Sequence, residues 1–321
     1  MKPLIMTCGD PSGIGPEIAV KAHLALGVHA GFVWLGDPAH LPDGANWEEI
    51  SAPVEASRVA PGVLPVLRHD FPAPALPGAP DPANAAAVVD VIARAVGLVQ
   101  SQAAGGIVTC PINKAALKAG AGFAFPGHTE FLAELGGVKR VVMMLACKAL
   151  RVIPVTIHIA LKDVPACLTG ALLEETLRIA HASLMRDFGI AAPRLAVAGL
   201  NPHAGESGLM GQEEVTVIAP VLARLRSEGM AVSGPLPADT MFHAGARANY
   251  DAAICMYHDQ ALIPIKTLDF AHGVNVTLGL PFIRTSPDHG TAYDIAGKGV
   301  ADASSVIAAV KMAQEMAGRR Q

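Results

Sequence analysis

Three histidines come at, or just after, the end of a short apolar run that is typical of a buried β-strand: His158, His203 and His258. Because the carboxyl ends of parallel strands open onto one crevice, we expect the three imidazoles to lie close together. Three imidazoles would suit a divalent metal such as Zn²⁺ and leave coordination positions open for a substrate. For a single histidine, a ring hydrogen-bonded to backbone is the simpler explanation, but three at equivalent positions favour the metal.

Carboxylates stand beside two of these histidines. Asp259 directly follows His258, and Glu206 lies three residues after His203. A carboxylate that accepts a hydrogen bond from a ligating imidazole fixes the orientation of that ring. We therefore expect both carboxylates to orient metal ligands.

A second set of residues has the chemistry of an anion site. His128 and Thr129 stand just before a predicted helix, where Thr129 would cap the helix and donate to a phosphate. Lys266 and Arg284 bring positive charge to apolar stretches of the chain. With few competing charges nearby, Arg284 is expected to bind a carboxylate or phosphate, and the alternative is a surface ion pair.

Two loops are open to a functional and a structural interpretation. Residues 9–17 are glycine-rich and join the first predicted strand to the first helix, where free N–H groups would bind an anion. This loop has no nucleotide-binding fingerprint, and a tight turn explains it equally well. Residues 288–291, Asp-His-Gly-Thr, are predicted to open another helix that faces the same cleft, and a cap-and-turn role explains them about as well.

The elements that must position these residues alternate along the chain. Apolar runs predict strands over residues 3–8, 31–35, 106–109, 141–146, 152–158, 194–200 and 252–257. Longer Ala- and Leu-rich segments predict helices over residues 16–26, 82–102, 172–188, 212–228 and 304–317. Residues 61–82 are predicted to form an irregular surface connection. The alternation indicates an α/β protein with a largely parallel sheet.

The composition excludes several classes of protein. With 321 residues, 51% hydrophobic and 16% charged, the chain can bury a large core and form two domains. The net charge is −4 and basic residues do not cluster, which argues against nucleic-acid binding. The apolar stretches are broken well short of the roughly 20 residues of a membrane span. Five scattered cysteines argue against disulfides and a thiolate zinc site, so we expect a reduced, cytoplasmic protein.

Six blocks of the sequence resemble the 4-hydroxythreonine-4-phosphate dehydrogenase (PdxA) family of vitamin B6 biosynthesis. They run in order between Thr7 and Asp302, over nearly the whole chain, and they occupy residues 9–17, 127–130, 200–206, 234–240, 256–260 and 279–290.

The resemblance implies a fold and an assembly. The family has an isocitrate/isopropylmalate-dehydrogenase-like α/β fold, with two α/β domains and an active-site cleft between them. By this resemblance, residues 1–126 with 282–321 form the cofactor-side domain, and residues 127–281 form the domain for metal, substrate and dimerisation. The protein is expected to be a homodimer whose active site is shared across the interface, without nucleic-acid or membrane partners.

The matching motif positions also imply roles for individual residues. The divalent-metal ligands would be His158, His203 and His258. The substrate contacts would be His128, Thr129, Lys266, Asn275 and Arg284. Asp239 and Asp259 lie in blocks that line the same site, so the candidate proton acceptors are Asp259, Asp239 and Lys266. No cofactor-binding residue is assigned.

The implied reaction is an oxidation followed by decarboxylation. NAD or NADP would oxidise the 3-hydroxyl of 4-phosphooxy-L-threonine with the help of a divalent metal, which is Zn²⁺, Mg²⁺ or Co²⁺. The resulting β-keto acid would lose CO₂ to give 3-amino-2-oxopropyl phosphate. The sequence leaves open the choice between NAD and NADP, and which of the metals is bound.

Three alternatives remain at this stage. A paralogous dehydrogenase would oxidise another four-carbon acid phosphate, namely threonate or erythronate 4-phosphate. A phosphate acyltransferase of similar fold would carry out no hydride chemistry, and three histidines at strand ends argue against it. A non-catalytic protein would use the histidines for a structural metal, but such sites usually have four protein ligands, often cysteines.

Overall fold

The computed structural model describes residues 2–320 and divides into two compact units. The first comprises Met1–Val141 with Leu280–Gln321, and the second comprises Val142–Gly279. In both units, parallel strands alternate with helices along the chain. The predicted α/β class with two domains is therefore confirmed.

The first unit contains a parallel sheet. Its strands are β1 (Leu4–Thr7), β2 (Phe32–Gly36), β3 (Trp47–Glu49), β4 (Leu64–Arg68), β5 (Ile107–Thr109) and β12 (Arg284–Pro287). They pair in the order β3-β4-β2-β1-β5-β12. All strands but β3 are almost wholly buried, because helices cover a parallel sheet on both faces. The helices of this unit are α1 (Gly15–Leu26), α2 (Ala85–Gln100), α3 (Lys114–Ala121), α4 (His128–Leu135) and α10 (Ser304–Arg319).

The second unit has a mixed sheet. Its strands are β6 (Val142–Cys147), β7 (Leu150–Pro154), β8 (Leu195–Ala198), β9 (Val232–Leu236), β10 (Ala252–Cys255) and β11 (Val274–Leu278). In the order β11-β6-β7-β10-β8-β9, the first two pairings are antiparallel and the rest are parallel. Its helices are α5 (Val164–Cys167), α6 (Gly170–Phe188), α7 (Ala219–Ser227), α8 (Ala244–Arg247) and α9 (His258–Leu268).

Two sequence predictions about local structure are corrected. The predicted irregular connection over residues 61–82 contains β4, whose first four residues are buried although Pro65 interrupts the run. The predicted helix over residues 212–228 begins as a π-helical turn, Glu214–Ile218, before α7. A π turn of this kind is common at functional sites.

The structural division between the units differs from the expected one. The expected boundary stands before residue 127, but residues 127–141 belong to the first unit. The reason is apolar packing, because the ring of Phe131 in α4 lies 5.2 Å from those of Phe123 and Phe125. The Gln100 side chain at the end of α2 also donates to the carbonyl of Leu135.

Among the described residues, one helix, Pro82–Gln100, is long and apolar enough to cross a membrane, judged by length and composition alone. The broken apolar runs of the sequence predict no apolar stretch of that length. The same test is passed by core helices of soluble proteins. The α2 part of this segment buries Val88, Val91 and Ile92 and contacts β1, β2 and β5. Its apolar character is therefore explained by packing within the first unit.

Candidate active site

Arg284 is a buried cation at the start of β12. The residue is only 3% exposed. Its Nε and Nη2 donate to Thr109 Oγ1 on the neighbouring β5, at 3.1 and 2.7 Å. Burial lowers the pKa of Arg284 to about 10, so it stays charged at neutral pH. These two hydrogen bonds to the Thr109 hydroxyl orient the guanidinium. A surface ion pair, the alternative weighed from the sequence, is excluded by this burial.

His128 is the first residue of α4 and lies near Arg284. Its Nε2 is buried and has no hydrogen-bond partner among the described residues. Burial, and then the charges of Arg284 and Lys114, hold the pKa of His128 well below its usual value. His128 is therefore neutral at pH 7 and holds an unused nitrogen, as expected of a group that awaits a polar ligand.

The start of α4 differs from the expected cap. The N-cap residue is Gly127, which has no side chain to accept from the first helical N–H groups, and Thr129 lies inside the helix. Thr129 therefore does not cap the helix. The uncapped N–H groups at the start of α4, together with Arg284 and His128, have the character of an anion site.

The glycine-rich loop at residues 9–17 is a packed turn. A methyl group on Gly9 would lie 2.4 Å from the Pro111 carbonyl oxygen, and one on Gly15 would lie 2.3 Å from the Cys8 carbonyl oxygen. The Asp10 carboxylate accepts from the N–H of Ser12 and from the hydroxyl of Tyr293, whose pKa burial and Asp10 raise to about 12. Close backbone contacts thus explain these glycines, as the structural alternative predicts.

No helix begins at residues 288–291, contrary to the sequence prediction. α10 starts only at Ser304, and the segment is irregular. The Asp288 N–H donates to Ser305 Oγ, and the Thr291 carbonyl accepts from the N–H of Ile14. These residues therefore pack against the 9–17 loop and against the start of α10.

In the second unit, the three predicted metal ligands follow three neighbouring parallel strands. His158, His258 and His203 come after the carboxyl ends of β7, β10 and β8. The rings of His158 and His258 lie with their centroids 5.7 Å apart. Two imidazoles on one ion, with bonds of about 2.0–2.1 Å, leave ring centres roughly 5 Å apart. The spacing of the two rings is therefore close to that of two ligands of one divalent ion.

Asp259 orients His258 in the predicted way. Its Oδ1 lies 2.7 Å from His258 Nδ1, which leaves Nε2 as the atom available to a metal. The Asp259 side chain itself is largely exposed to solvent. The structure thus gives Asp259 a positioning contact.

His203 is not grouped with the other two histidines. Within residues 2–320, no three or more His, Cys, Asp or Glu side chains are arranged to hold a metal ion. His203 is exposed and starts a segment, His203–Ser207, in which every residue has a positive φ. Glu206 makes no side-chain hydrogen bond to His203, so the carboxylate expected beside that ring is not in place.

A buried carboxylate secures this left-handed segment. Glu214 is 3% exposed, and its Oε1 accepts from the Asn201 N–H at 2.7 Å while its Oε2 accepts from the Asn201 side-chain amide at 2.9 Å. A methyl group on Gly205 would lie 2.5 Å from Glu214 Oε2. Left-handed backbone costs roughly 1–2 kcal/mol for each non-glycine residue. The conformation that presents His203 therefore needs contacts such as these.

The remaining predicted residues lie in different parts of the second unit. Asn275 is on β11, and its Oδ1 is buried without a partner among residues 2–320. The Lys266 ammonium lies 5.4 Å from the centroid of the Phe270 ring. Asp239 is exposed in a short 3₁₀ turn, Ala238–Thr240. Of these, Asn275 has the unsatisfied polar atom expected of a ligand contact.

The family is decided by comparison with known proteins. The family sequence model of the pyridoxal phosphate biosynthetic protein PdxA matches residues 29–313. The chain belongs to the PdxA family. It is 67% identical to a 4-hydroxythreonine-4-phosphate dehydrogenase of Paracoccus denitrificans, over 99% of both chains. A second enzyme of that name, from Roseobacter denitrificans, is 62% identical over 99% of this chain and 98% of its own.

Solved structures of PdxA enzymes share the fold over the whole chain. The 4-hydroxythreonine-4-phosphate dehydrogenase of Klebsiella pneumoniae superposes with a TM-score of 0.90 at 39% identity, covering 99% of this chain and 100% of its own. A terephthalate 1,2-cis-dihydrodiol dehydrogenase from Burkholderia xenovorans gives a TM-score of 0.68 at 28% identity, with 98% of both chains covered. A branched-chain phosphotransacylase from Enterococcus faecalis shares the fold alone, at 14% identity, 98% and 99% coverage and a TM-score of 0.59.

Sequence reasoning missed Thr109, Lys114 and Glu214 in this PdxA chain. Thr109 ends β5, and Lys114 begins the next helix, so both follow the sheet edge at which ligands of α/β proteins bind. Their position after the end of a predicted strand could therefore have marked both residues as candidates for the site. Glu214 lies in a predicted helix thirteen residues from Asn201, and no local pattern marks it as buried.

Proposed function

We propose that this chain oxidises 4-phosphooxy-L-threonine with NAD or NADP, after which the β-keto acid loses CO₂ to give 3-amino-2-oxopropyl phosphate. The reaction belongs to pyridoxal 5′-phosphate biosynthesis, in the cytoplasm. Full-length relatives with up to 67% identity carry the name of this enzyme. The observation that carries the proposal is the anion pocket of Arg284 and His128, because a phosphorylated acid needs such a pocket.

The residues of the first unit are assigned to the substrate phosphate. Arg284 is charged and held by Thr109, and it contributes charge-assisted hydrogen bonds. His128 is neutral and contributes a hydrogen bond through Nε2. Thr129 contributes its hydroxyl, and the start of α4 contributes its uncapped N–H groups. In the second unit, Asn275 and Lys266 are assigned to the other polar groups of the substrate.

His158, His258 and His203 would hold the divalent metal, which is Zn²⁺, Mg²⁺ or Co²⁺. When bound, the metal supplies Lewis acidity that lowers the pKa of the substrate hydroxyl and stabilises charge on its oxygen. NAD or NADP supplies the hydride acceptor, with the first unit as the cofactor side. Asp259 holds the His258 ring through Nδ1, and the proton of the substrate hydroxyl goes to Asp259, Asp239 or Lys266.

A homodimer with a shared active site accounts for the isolated position of His203. One chain brings His158 and His258 together without His203, and a second copy would bring its own His203 to that pair. Sedimentation velocity should give twice the 33.0 kDa of one chain. A monomer at micromolar concentration would contradict this assembly.

The test of the function is a steady-state comparison of substrates. Reduced nicotinamide should form with 4-phosphooxy-L-threonine and not with threonate or erythronate 4-phosphate, and NAD and NADP are compared in the same assay. EDTA should abolish the signal, and Zn²⁺, Mg²⁺ or Co²⁺ should restore it. Turnover of threonate or erythronate 4-phosphate alone would replace the proposed substrate. No turnover of any of the three acids would overturn the function.

A further inference from the structure

Lys114 lies against the start of the helix that carries His128. It is the first residue of α3, whose N-cap Asn113 accepts from the Ala116 N–H. A methyl group built on Gly127 would lie 3.2 Å from Lys114 Cε and 3.4 Å from its Nζ. Because Gly127 is the N-cap of α4, the ammonium of Lys114 sits at the N-terminal end of that helix.

The charge of Lys114 is not neutralised within its unit. Lys114 forms no hydrogen bond or ion pair with any residue in the range 2–320. The Glu130 carboxylate oxygen Oε2 also lies 3.4 Å from the methyl group built on Gly127, but Glu130 forms no ion pair with Lys114. The positive charges of Lys114 and Arg284 both act on the His128 ring. Two positive charges thus act on one imidazole at an uncapped helix start.

We propose that Lys114 binds the substrate phosphate together with Arg284 and His128, and that its charge selects a phosphorylated acid over the unphosphorylated one. The inference rests on the proposed function, and it adds to it the residue responsible for recognising the phosphate dianion. Lys114 lies outside the six sequence blocks that carry the family resemblance.

Charge balance favours phosphate over carboxylate as the partner of Lys114. A carboxylate carries one negative charge, which the buried Arg284 alone would neutralise. A phosphate monoester carries close to two negative charges at neutral pH, and two cations with a helix N-terminus match it. Lysine is a compact point charge, suited to the second charge of a phosphate that the planar guanidinium already orients.

The first experiment compares Lys114→Met with Lys118→Met. Lys118 lies one turn later on α3, and both lysines are exposed, so Lys118 is a matched control that lies farther from Gly127 along the helix. For Lys114→Met, kcat/KM with 4-phosphooxy-L-threonine should fall roughly 10- to 100-fold, the effect of one charge-assisted hydrogen bond. With unphosphorylated 4-hydroxy-L-threonine it should stay within about twofold, and Lys118→Met should leave both values unchanged. Lys114→Arg keeps the charge and should recover part of the loss.

Each other outcome of this comparison contradicts the proposal. An equal fall for both acids would place Lys114 on the substrate carboxylate. No fall for either acid would remove it from the site. A fall that Lys118→Met reproduces would indicate a general effect of charge on α3.

A second experiment needs no turnover. Inorganic phosphate is titrated into each protein while the ring proton of His128 is followed by NMR. Lys114→Met should weaken phosphate binding roughly tenfold and raise the pKa of His128, since removing a nearby positive charge favours the protonated ring. Unchanged phosphate affinity and an unchanged His128 pKa would overturn the proposal. If phosphate binding depends on Lys114 in a protein that does not oxidise the acid, the proposed function fails and the phosphate site stands.

Discussion

The anion pocket of the first unit and the histidine pair of the second unit differ in how completely one chain builds them. Arg284 is buried, is held by two hydrogen bonds to Thr109, and lies among strands of the first unit that all pair in parallel. His203 is exposed on left-handed backbone and apart from His158 and His258. The anion pocket, which we propose for the substrate phosphate, is thus preorganised. The proposed metal site needs a third ligand, and within residues 2–320 of one chain His203 does not group with His158 and His258.

The largest expected effect concerns the preorganised pocket. Arg284→Met should lower kcat/KM with 4-phosphooxy-L-threonine roughly 100- to 1000-fold, because a buried charge-assisted contact to the phosphate is lost. The melting temperature should change by no more than a few degrees, because the change also removes the desolvation cost of a buried charge. Steady-state kinetics and calorimetry measure the two effects.

Arg284→Lys is the matched control for that change. It keeps the charge and loses the planar fork, so it should retain more activity than Arg284→Met. If Arg284→Met instead unfolded the protein and kept its activity per folded molecule, Arg284 would be structural, and the contrast between the two regions would fail.

A smaller effect is expected where a carboxylate supports the histidine site. Glu214→Gln replaces an acceptor of two hydrogen bonds from Asn201 by an amide that cannot accept both in the same way. Metal affinity, measured by calorimetry with Zn²⁺, should fall roughly 10- to 100-fold, as for other residues that orient ligands. The control is Glu213→Gln, since Glu213 accepts only one hydrogen bond from the Asn201 amide and should matter less. Equal affinity in wild type and Glu214→Gln would show that the loop does not present a ligand.

The smallest effect is a pH dependence that marks the first pocket. The folded state lowers the pKa of His128, so it binds fewer protons than the unfolded chain below about pH 6.5. The stability that His128 contributes is therefore fully present above pH 6.5 and is lost as the pH falls toward the folded pKa. His128→Gln should lose less stability than wild type between pH 7.5 and 5.5, measured as the urea midpoint. Equal slopes for the two proteins would mean that His128 is not held neutral.

The fold was largely predictable because its strands are buried on both faces. Such strands are continuous apolar runs, so β1, β2, β8 and β10 stood out in the sequence. The strands that escaped prediction lack that pattern. β3 is wholly exposed, and β4 and β9 each contain a proline. β11 has polar residues between its apolar ones, and β12 carries arginine, threonine and serine in buried positions. Their pairing with neighbours, rather than their own composition, makes them strands.

The places of the candidate residues in the fold were predictable from the strand pattern, and their contacts with distant residues were not. Strand-end position singled out the three histidines and placed each after a parallel strand. That His203 does not group with the other two was not predictable. His203 begins five consecutive left-handed residues, and contacts of the distant Glu214 help to hold them. Glycine is required there only at Gly205, so composition gave no sign of the turn.

The most direct test of the account is subunit mixing between His203→Ala and His258→Ala. Each variant alone should be inactive, with a melting temperature within a few degrees of wild type. If a second copy supplies His203 to the pair of His158 and His258, each mixed dimer regains one intact site. Reassociation at equal amounts should then restore about a quarter of wild-type activity. Mixtures that stay inactive, although mixed dimers are detected by mass, would contradict the shared histidine site.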